Sequence, residues 1–178
     1  MKIRLENRFR NDRGKTCKMT VDGVDFPIEE PIPFDSDWCS HKFKKAGLRY
    51  EMAVCIQTGD IVWVKGPFKC GKWPDVKIFK TFLMQRLADD EMVEADKGYR
   101  GRNIKARTPD DCVSQVDRAA KVRALMRHET VNRRLKQWGC MQQRWRHARE
   151  KHKIAFCAVV VCTQTAFDLG ERPFQCRY

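Results

Sequence analysis

Three acidic residues stand in sequence contexts that could bring them together at one metal-binding site. Asp22 lies in CKMTVDGVDF and Asp96 in MVEADKGYRG, and both end short apolar runs that are typical of strands. Glu129 lies in RHETVNRRLKQWG, inside a long helical pattern. Mg²⁺ and Mn²⁺ bind carboxylate oxygens, and two such ions about 3.5–4 Å apart can activate an attacking water and stabilise a leaving oxygen. The pattern therefore favours metal-dependent cleavage of phosphodiester bonds.

The first of these motifs contains two aspartates, and only one of them can line the site. Side chains alternate along a strand, so Asp22 and Asp25 face opposite ways. Asp22 directly follows the apolar run and precedes Gly23, which makes it the better candidate. The alternative is that Asp22 and Asp96 are ordinary turn residues at strand ends, where carboxylates are common.

The role of Glu129 depends on which face of its helix packs on the sheet. The apolar residues Val122, Leu125 and Met126 precede it at helical spacing. Residues at these spacings share a helix face, so we expect Glu129 to be directed inward. The alternative is a solvated Glu129 that pairs with Arg133 one turn later.

The composition bounds both the fold and the partner. The chain has 178 residues and is 42% hydrophobic, which is enough for one core and too short for two ordinary domains. Its net charge of +13 favours a polyanion, with nucleic acid ahead of an anionic membrane. The longest apolar stretch, 154–167, is interrupted by polar residues and falls short of the roughly 20 residues that span a bilayer. We therefore expect no membrane insertion, and the charged N-terminus does not resemble a secretory signal.

The nine cysteines are an odd number without a CxxC pair, which favours a reducing compartment, either the nucleus or the cytoplasm. Most lie in apolar or mixed runs, as Cys55 and Cys157 do, and we expect such thiols to be buried. His147, His152, Cys157 and Cys162 recur every five residues, a spacing that turns side chains off a common helix face. This spacing argues against a zinc site.

Hydrophobic periodicity and turn residues divide the chain into elements. The turn Thr58-Gly59-Asp60 joins two strand patterns as an antiparallel hairpin, and three prolines within 27–47 indicate an irregular loop. Ser114 is a suitable N-cap for a long helix, and Gly139 is a natural stop for it. The predicted order is strand, strand, strand, helix, strand and two further helices, with strands at 17–22, 49–57, 61–65 and 92–96 and helices at 74–87, 114–138 and 149–169.

Several motifs occur in an order that resembles a known family. They are TVDGVDFPIEEP, SHKFKKAGLRYEMAVCIQTGDIVWVKGPF, WPD, EADKGYRG and RHETVNRRLKQWG. Together, over about residues 19–169, they are similar to the DDE endonuclease superfamily of PIF/Harbinger-type transposases. The resemblance implies an α/β, RNase H-like mixed sheet flanked by helices and a two-metal reaction on DNA with Mg²⁺ or Mn²⁺. It also implies that Asp22, Asp96 and Glu129 are both the catalytic residues and the metal ligands.

The resemblance also sets the expected domain organisation. A basic arm at 1–16 precedes a DDE nuclease domain at 17–170 and a tail at 171–178. Transposases of this type resemble a two-part protein with a helix-turn-helix region ahead of the nuclease, whereas only a short segment precedes Asp22. Two functions therefore stay open: an active endonuclease or transposase, and a catalytically inactive, truncated or domesticated derivative that binds DNA or a protein. The expected partners are DNA and either a separate DNA-binding protein or a second copy of the chain.

Basic residues follow both acidic motifs. Lys97 departs from the family, in which the residue after the second aspartate is usually small, and strand alternation leads us to expect that it points away from Asp96. The other basic residues are expected to bind nucleic-acid phosphates: Arg100, Arg102, Lys105, Arg107, Arg133, Arg134 and Lys136. The alternative for each is a solvated helix face.

The remaining candidates have structural alternatives. His128, next to Glu129, could contact the scissile phosphate or make a structural hydrogen bond, and both stay open. Trp63, Trp73 and Trp138 are expected in the core rather than as platforms for base stacking. No P-loop or nucleophile-elbow motif occurs in the sequence.

Overall fold

The computed structural model describes residues 3–12 and 14–171, which contain one mixed β-sheet. Its strands are β1 (Cys17–Pro27), β2 (Gly47–Cys55), β3 (Ile61–Lys69), β4 (Met92–Glu94) and β5 (Ala106–Arg107). They lie in the order β3-β2-β1-β4-β5, with β2 antiparallel to β1 and β3, and with β4 parallel to β1 and β5. This five-stranded mixed sheet flanked by helices is compatible with the α/β, RNase H-like fold expected from the sequence.

The described residues form four α-helices, α1 (Asp75–Thr81), α2 (Gln115–Lys136), α3 (Gly139–Gln142) and α4 (Arg149–Asp168). α2 begins where the sequence predicts, because the Ser114 hydroxyl accepts a hydrogen bond from the Asp117 amide at 3.1 Å. α4 also matches its predicted range. α1 ends well before the predicted residue 87, because the backbone at Phe82 leaves the helical region, and a 3₁₀ turn at Met84–Arg86 follows.

β1 lies at the centre of the sheet, and its alternating side chains enter two separate cores. Phe26 packs edge-on against Phe156 of α4 on one face. Val21 joins a second cluster with Phe79 of α1 on the other face. Burial of apolar surface is worth about 25 cal/mol per Å², so packing on both faces fixes β1. This double packing also fixes the level at which Asp22 lies in the sheet.

Several predicted strand bounds are wrong. β1 continues to Pro27, because its ladder with β2 extends to the pair of Pro27 with Gly47. β3 is longer than predicted, and β4 ends at Glu94 instead of residue 96. β5 lies in the segment predicted as a basic loop. The sequence does not predict this strand, because two residues show no periodicity. The hairpin of β2 and β3 is confirmed as antiparallel.

The N-terminal arm, which has no sequence periodicity, contains a 3₁₀ turn at Leu5–Phe9. Within it, the buried Arg8 guanidinium donates to both carboxylate oxygens of Glu91, at 2.6 and 3.0 Å. This bidentate pair ties the arm to the residue that precedes β4. Most of the predicted tail at 171–178, with Cys176, lies outside the described residues.

Two predictions of burial are wrong. Cys157 is exposed on the outer side of α4, whereas Cys55 of β2 is buried as expected. Trp138 is 44% exposed just after α2. Trp73 is only half-buried, whereas Trp63 is half-buried and packs against the second core cluster as expected. Apolar sequence context did not distinguish the inner from the outer faces of these elements. None of the described helices has the length and apolar character needed to cross a membrane.

Candidate active site

Asp22 on β1 and Asp96 just after β4 lie at the same level of the sheet. β1 and β4 are parallel, and Thr20 lies opposite Glu94 in their register. Two residues beyond this pair, Asp22 continues β1 and Asp96 follows the end of β4. The Asp96 carboxylate accepts a hydrogen bond from the Gly98 amide at 2.8 Å and so caps a 3₁₀ turn. The parallel register therefore brings the two aspartates close together.

Two hydrogen bonds fix the carboxylate of Asp22. Its Oδ1 accepts from the Gly23 amide at 2.7 Å, and its Oδ2 accepts from Asn132 Nδ2 at 3.1 Å. Asn132 belongs to α2 and is only 5% exposed. The Oδ1 of Asn132 is buried and has no hydrogen-bond partner among the described residues. α2 therefore places an uncommitted oxygen beside Asp22, which the sequence reasoning did not identify.

Glu129 is exposed on α2, so the expectation of an inward side chain is wrong. Val122 and Met126, which suggested the inward face, are themselves 48% and 56% exposed. Polar residues among the buried positions obscure the periodicity of the face that does pack. These buried positions are Lys121, Ala124, Arg127, His128, Val131, Asn132 and Leu135.

The charges that act on Asp22 show that several carboxylates gather at this point of the sheet. Burial, the largest cause, raises the pKa of Asp22 to about 7. The Lys42 ammonium opposes this shift, whereas Asp75, Glu129 and Asp96 raise the pKa of Asp22 further, because like charges disfavour ionisation. Glu129 thus lies close enough to act on Asp22 although its side chain is exposed.

Asp75 is a fourth carboxylate of this cluster, and the sequence reasoning did not select it. Its Oδ1 packs on the backbone of Gly23, where an added Cβ would lie 1.7 Å away. Arg49 Nε lies 3.3 Å from the same oxygen. Burial raises the pKa of Asp75, and Arg49 opposes that shift. The WPD motif was the sequence signal that could have identified Asp75. Position alone did not mark it, because acidic residues are common in the first turn of a helix.

Asp25 is committed to an ion pair and does not line the site. Arg49 donates to its two carboxylate oxygens at 2.7 and 2.8 Å, and the Ser40 hydroxyl donates at 2.6 Å. Burial favours the neutral acid, but the hydrogen bonds from Arg49 and Ser40 prevail and lower the pKa of Asp25. Of the two aspartates in the first motif, the geometry favours Asp22.

Lys42 places a positive charge within the cluster. It comes from the proline-rich loop between β1 and β2, and its Nζ donates to the Gly23 carbonyl at 2.6 Å. No sequence motif marks this lysine, because its position depends on how the loop folds back over β1. Lys97, which departs from the family and was expected to point away from Asp96, is exposed on the turn that follows Asp96.

Several of the basic residues that were expected to bind phosphate make contacts within the chain. Arg107 forms ion pairs with Glu94 and Asp117. Arg100 forms an ion pair with Asp110. Lys105 donates to the backbone carbonyls of Leu87 and Ala88. The others are exposed or half-exposed: Arg102, Arg133, Arg134 and Lys136.

The two buried histidines make structural hydrogen bonds. His128 Nδ1 lies 2.8 Å from the Thr20 hydroxyl, and burial lowers the pKa of His128 to about 3. His152 Nδ1 lies 2.8 Å from the Tyr50 hydroxyl. His128 is therefore neutral and enclosed between α2 and β1, which is the structural alternative of the two that the sequence left open.

The donor atoms of the site suit a hard divalent cation. Mg²⁺ needs only one or two carboxylates together with waters and substrate phosphates. Asp22, Asp96 and Glu129 supply carboxylates, and the unpartnered Asn132 Oδ1 supplies a neutral oxygen. Within residues 3–12 and 14–171, however, no three His, Cys, Asp or Glu side chains are arranged to hold a metal ion. The chemistry of the donor set fits, and a bound cation would offset the mutual repulsion of the carboxylates.

Comparison with protein families agrees with this arrangement. A family model described as DDE superfamily endonuclease matches residues 21–163, which include most of β1, strands β2 to β5, α2 and all four carboxylates. No curated protein and no solved structure matches the chain significantly. Because the match covers most of the sequence, the chain belongs to the DDE superfamily of endonucleases.

Proposed function

We propose that this domain cleaves or transfers DNA phosphodiester bonds with two divalent ions, Mg²⁺ or Mn²⁺, bound through Asp22, Asp96 and Glu129. The observation that supports this most directly is the hydrogen bond from Asn132 Nδ2 of α2 to Asp22 Oδ2 at 3.1 Å, together with the parallel register of β1 and β4 that sets Asp96 beside Asp22. These contacts bring carboxylates from β1, from the turn after β4 and from α2 into one cluster. Within the family we infer a PIF/Harbinger-type origin and action in the nucleus.

The residues of the chain would have separate roles in metal binding and DNA binding. Asp22 is the central ligand, since the Gly23 amide and the Asn132 amide group orient both of its oxygens. The bound ions would supply Lewis-acid activation of the attacking oxygen and charge stabilisation of the leaving oxygen. Exposed basic residues such as Arg102, Arg133 and Lys136 would hold the DNA backbone and offset its repulsion by the carboxylates.

The second candidate is a catalytically inactive derivative that binds DNA or a protein. The exposed position of Glu129 favours it, because this carboxylate and its neighbours do not form a ready ion-binding group among the described residues. The nuclease and a DNA-binding derivative both predict DNA binding by the basic surface, whereas a protein-binding derivative does not. Only the first predicts cleavage that depends on a divalent ion.

A nicking assay on supercoiled DNA with Mg²⁺ or Mn²⁺ separates the two. Asp96→Asn keeps an oxygen that can accept from the Gly98 amide, so the turn should stay intact while the ligand charge is lost. Asp89→Asn is the matched control, because Asp89 is an exposed acid in the turn before β4. We expect wild type and Asp89→Asn to nick DNA and Asp96→Asn to be inactive. Absence of nicking by wild type with either ion would favour the inactive derivative.

A further inference from the structure

Three aromatic rings form a half-buried patch beside the edge strand β3. Phe68 of β3 lies 5.0 Å from Trp73 and 5.4 Å from Phe82 between ring centroids, and Trp73 lies 6.1 Å from Phe82. Trp63 lies farther along β3 and is half-buried as well, packing in part against the second core cluster. We call Trp63, Phe68, Trp73 and Phe82 the aromatic strip.

Cations lie over the rings of the aromatic strip. Lys77 Nζ is 4.4 Å from the ring centroid of Trp73, and Lys65 Nζ is 4.6 Å from that of Phe82. The Arg86 guanidinium is 5.5 Å from the ring centroid of Trp63. Among the described residues, none of these three cations forms an ion pair with a carboxylate. The strip therefore combines π-faces with uncompensated positive charge.

Two nearby lysines differ from the cations over the aromatic strip, because each forms an ion pair with an aspartate. Lys69 lies 2.9 Å from Asp35, and Lys72 lies 3.3 Å from Asp37. The aspartates of the loop that precedes β2 neutralise these lysines, although Lys69 also lies 4.8 Å from the ring centroid of Trp38, whereas the three cations over the aromatic strip have no such carboxylate partner among the described residues. The cations over the aromatic strip are therefore available to phosphates.

The strip begins next to the candidate active site. Arg49 Nη1 donates to the Trp73 carbonyl at 3.2 Å, while Arg49 Nε lies 3.3 Å from Asp75. Trp73 and Lys77 flank Asp75 in the sequence at the start of α1, and Lys77 Nζ lies 4.4 Å from the Trp73 ring centroid. A strand of nucleic acid held at the carboxylates could continue directly onto the rings.

From this we propose that the aromatic strip binds an unpaired DNA strand, with bases stacked on Trp73 and its neighbours and phosphates held by Lys65, Lys77 and Arg86. A flexible lysine or arginine over a ring can move its charge to a phosphate and leave the ring face to a base. Bases inside a duplex cannot offer their faces in this way. The inference rests on the nuclease function proposed above and adds to it that part of the substrate is single-stranded.

The test measures binding without metal or cleavage, so it does not depend on catalysis. Fluorescein-labelled oligo(dT) and a duplex of mixed sequence are titrated in EDTA, with anisotropy and tryptophan fluorescence as readouts. Trp73→Leu should lower the oligo(dT) affinity about tenfold, the loss expected for one stacked base, and leave the duplex affinity unchanged. Trp138→Leu is the matched control, since Trp138 is 44% exposed but lies beyond α2.

Lys77→Gln tests the strip without removing a packed ring. It should reduce the salt dependence of oligo(dT) binding by about 0.7 in log–log slope, one phosphate contact on a single strand. Lys72→Gln, at a lysine already paired with Asp37, should change this slope much less.

The proposal is overturned if oligo(dT) does not quench tryptophan fluorescence, if Trp138→Leu weakens oligo(dT) binding as much as Trp73→Leu, or if Trp73→Leu lowers the duplex affinity as much as the oligo(dT) affinity. Loss of nicking with intact strip binding would instead count against the nuclease function alone.

Discussion

Asn132 Nδ2 lies 3.1 Å from Asp22 Oδ2 and connects α2 directly to the central carboxylate of the cluster. The Oδ1 of the same amide group is buried without a partner in the described part of the chain. One side chain thus orients a candidate ligand and leaves an oxygen beside it. An amide does this without a further negative charge among the carboxylates.

Asn132→Ala should therefore weaken binding of Mn²⁺ by about 10–100-fold, the range typical for loss of a residue that orients a metal ligand. The change removes the donor to Asp22 Oδ2 and the adjacent oxygen together. Calorimetric titration of Mn²⁺ measures the effect. Thr130→Ala, at a residue of the same helix whose hydroxyl donates to the Met126 carbonyl, is the control and should bind Mn²⁺ normally. Equal affinities of wild type and Asn132→Ala would remove Asn132 from the site.

Gly23→Ala should destabilise the fold by about 1–3 kcal/mol, as overpacking of a close contact does. The new Cβ would lie 1.7 Å from Asp75 Oδ1, so the carboxylate must leave its place near Arg49. Urea unfolding at neutral pH measures the change. Gly139→Ala is a suitable control, because no heavy atom lies within 4 Å of its added Cβ, and the effect there should stay within about 0.5 kcal/mol.

Regular elements with strong local signals were predictable from the sequence. The cap at Ser114, the hairpin of β2 and β3, and α4 depend on neighbouring residues alone, and the structure confirms them. The short β5 could not be predicted, because two residues carry no periodicity.

The surroundings of Asp22 could be predicted only in part, because they depend on contacts between distant segments. Lys42 reaches the Gly23 carbonyl from a loop without periodicity, and Asp75 comes from a different helix. The exposure of Glu129 was missed because α2 packs through polar as well as apolar side chains. Pattern reasoning assumes that a buried helix face is apolar, and this helix does not follow that assumption.

Because of Glu51, the free energy of unfolding should fall as the pH rises from 4.5 to 8. Burial raises the pKa of Glu51 to about 8, and its Oε1 accepts from Trp63 Nε1 at 2.9 Å. Between the unfolded and folded pKa values the folded state holds a proton that the unfolded state has lost, so the free energy of unfolding falls by up to about 1.4 kcal/mol per pH unit. Glu51→Gln should flatten this dependence and be more stable than wild type at pH 8. Urea titrations at pH 6 and pH 8 test it, and parallel losses in both proteins would contradict it.

His152 should give the opposite pH dependence, so that the protein loses stability as the pH falls. Burial lowers the pKa of His152 to about 4, against an ordinary value of 6.5. Between these values the unfolded state binds the proton and the folded state does not, so stability is complete above pH 6.5 and is lost progressively down to pH 4.

His152→Asn keeps an acceptor near the position of Nδ1 for the Tyr50 hydroxyl and removes the titrating group. It should lower stability at pH 7, because the ring packs against Phe26 and Tyr50, but it should reduce the further loss between pH 6.5 and pH 4.5. Denaturant unfolding across this range measures both effects. His147→Asn, at an exposed histidine, is the control and should keep the wild-type slope. A slope unchanged by His152→Asn would mean that the proton is taken up elsewhere.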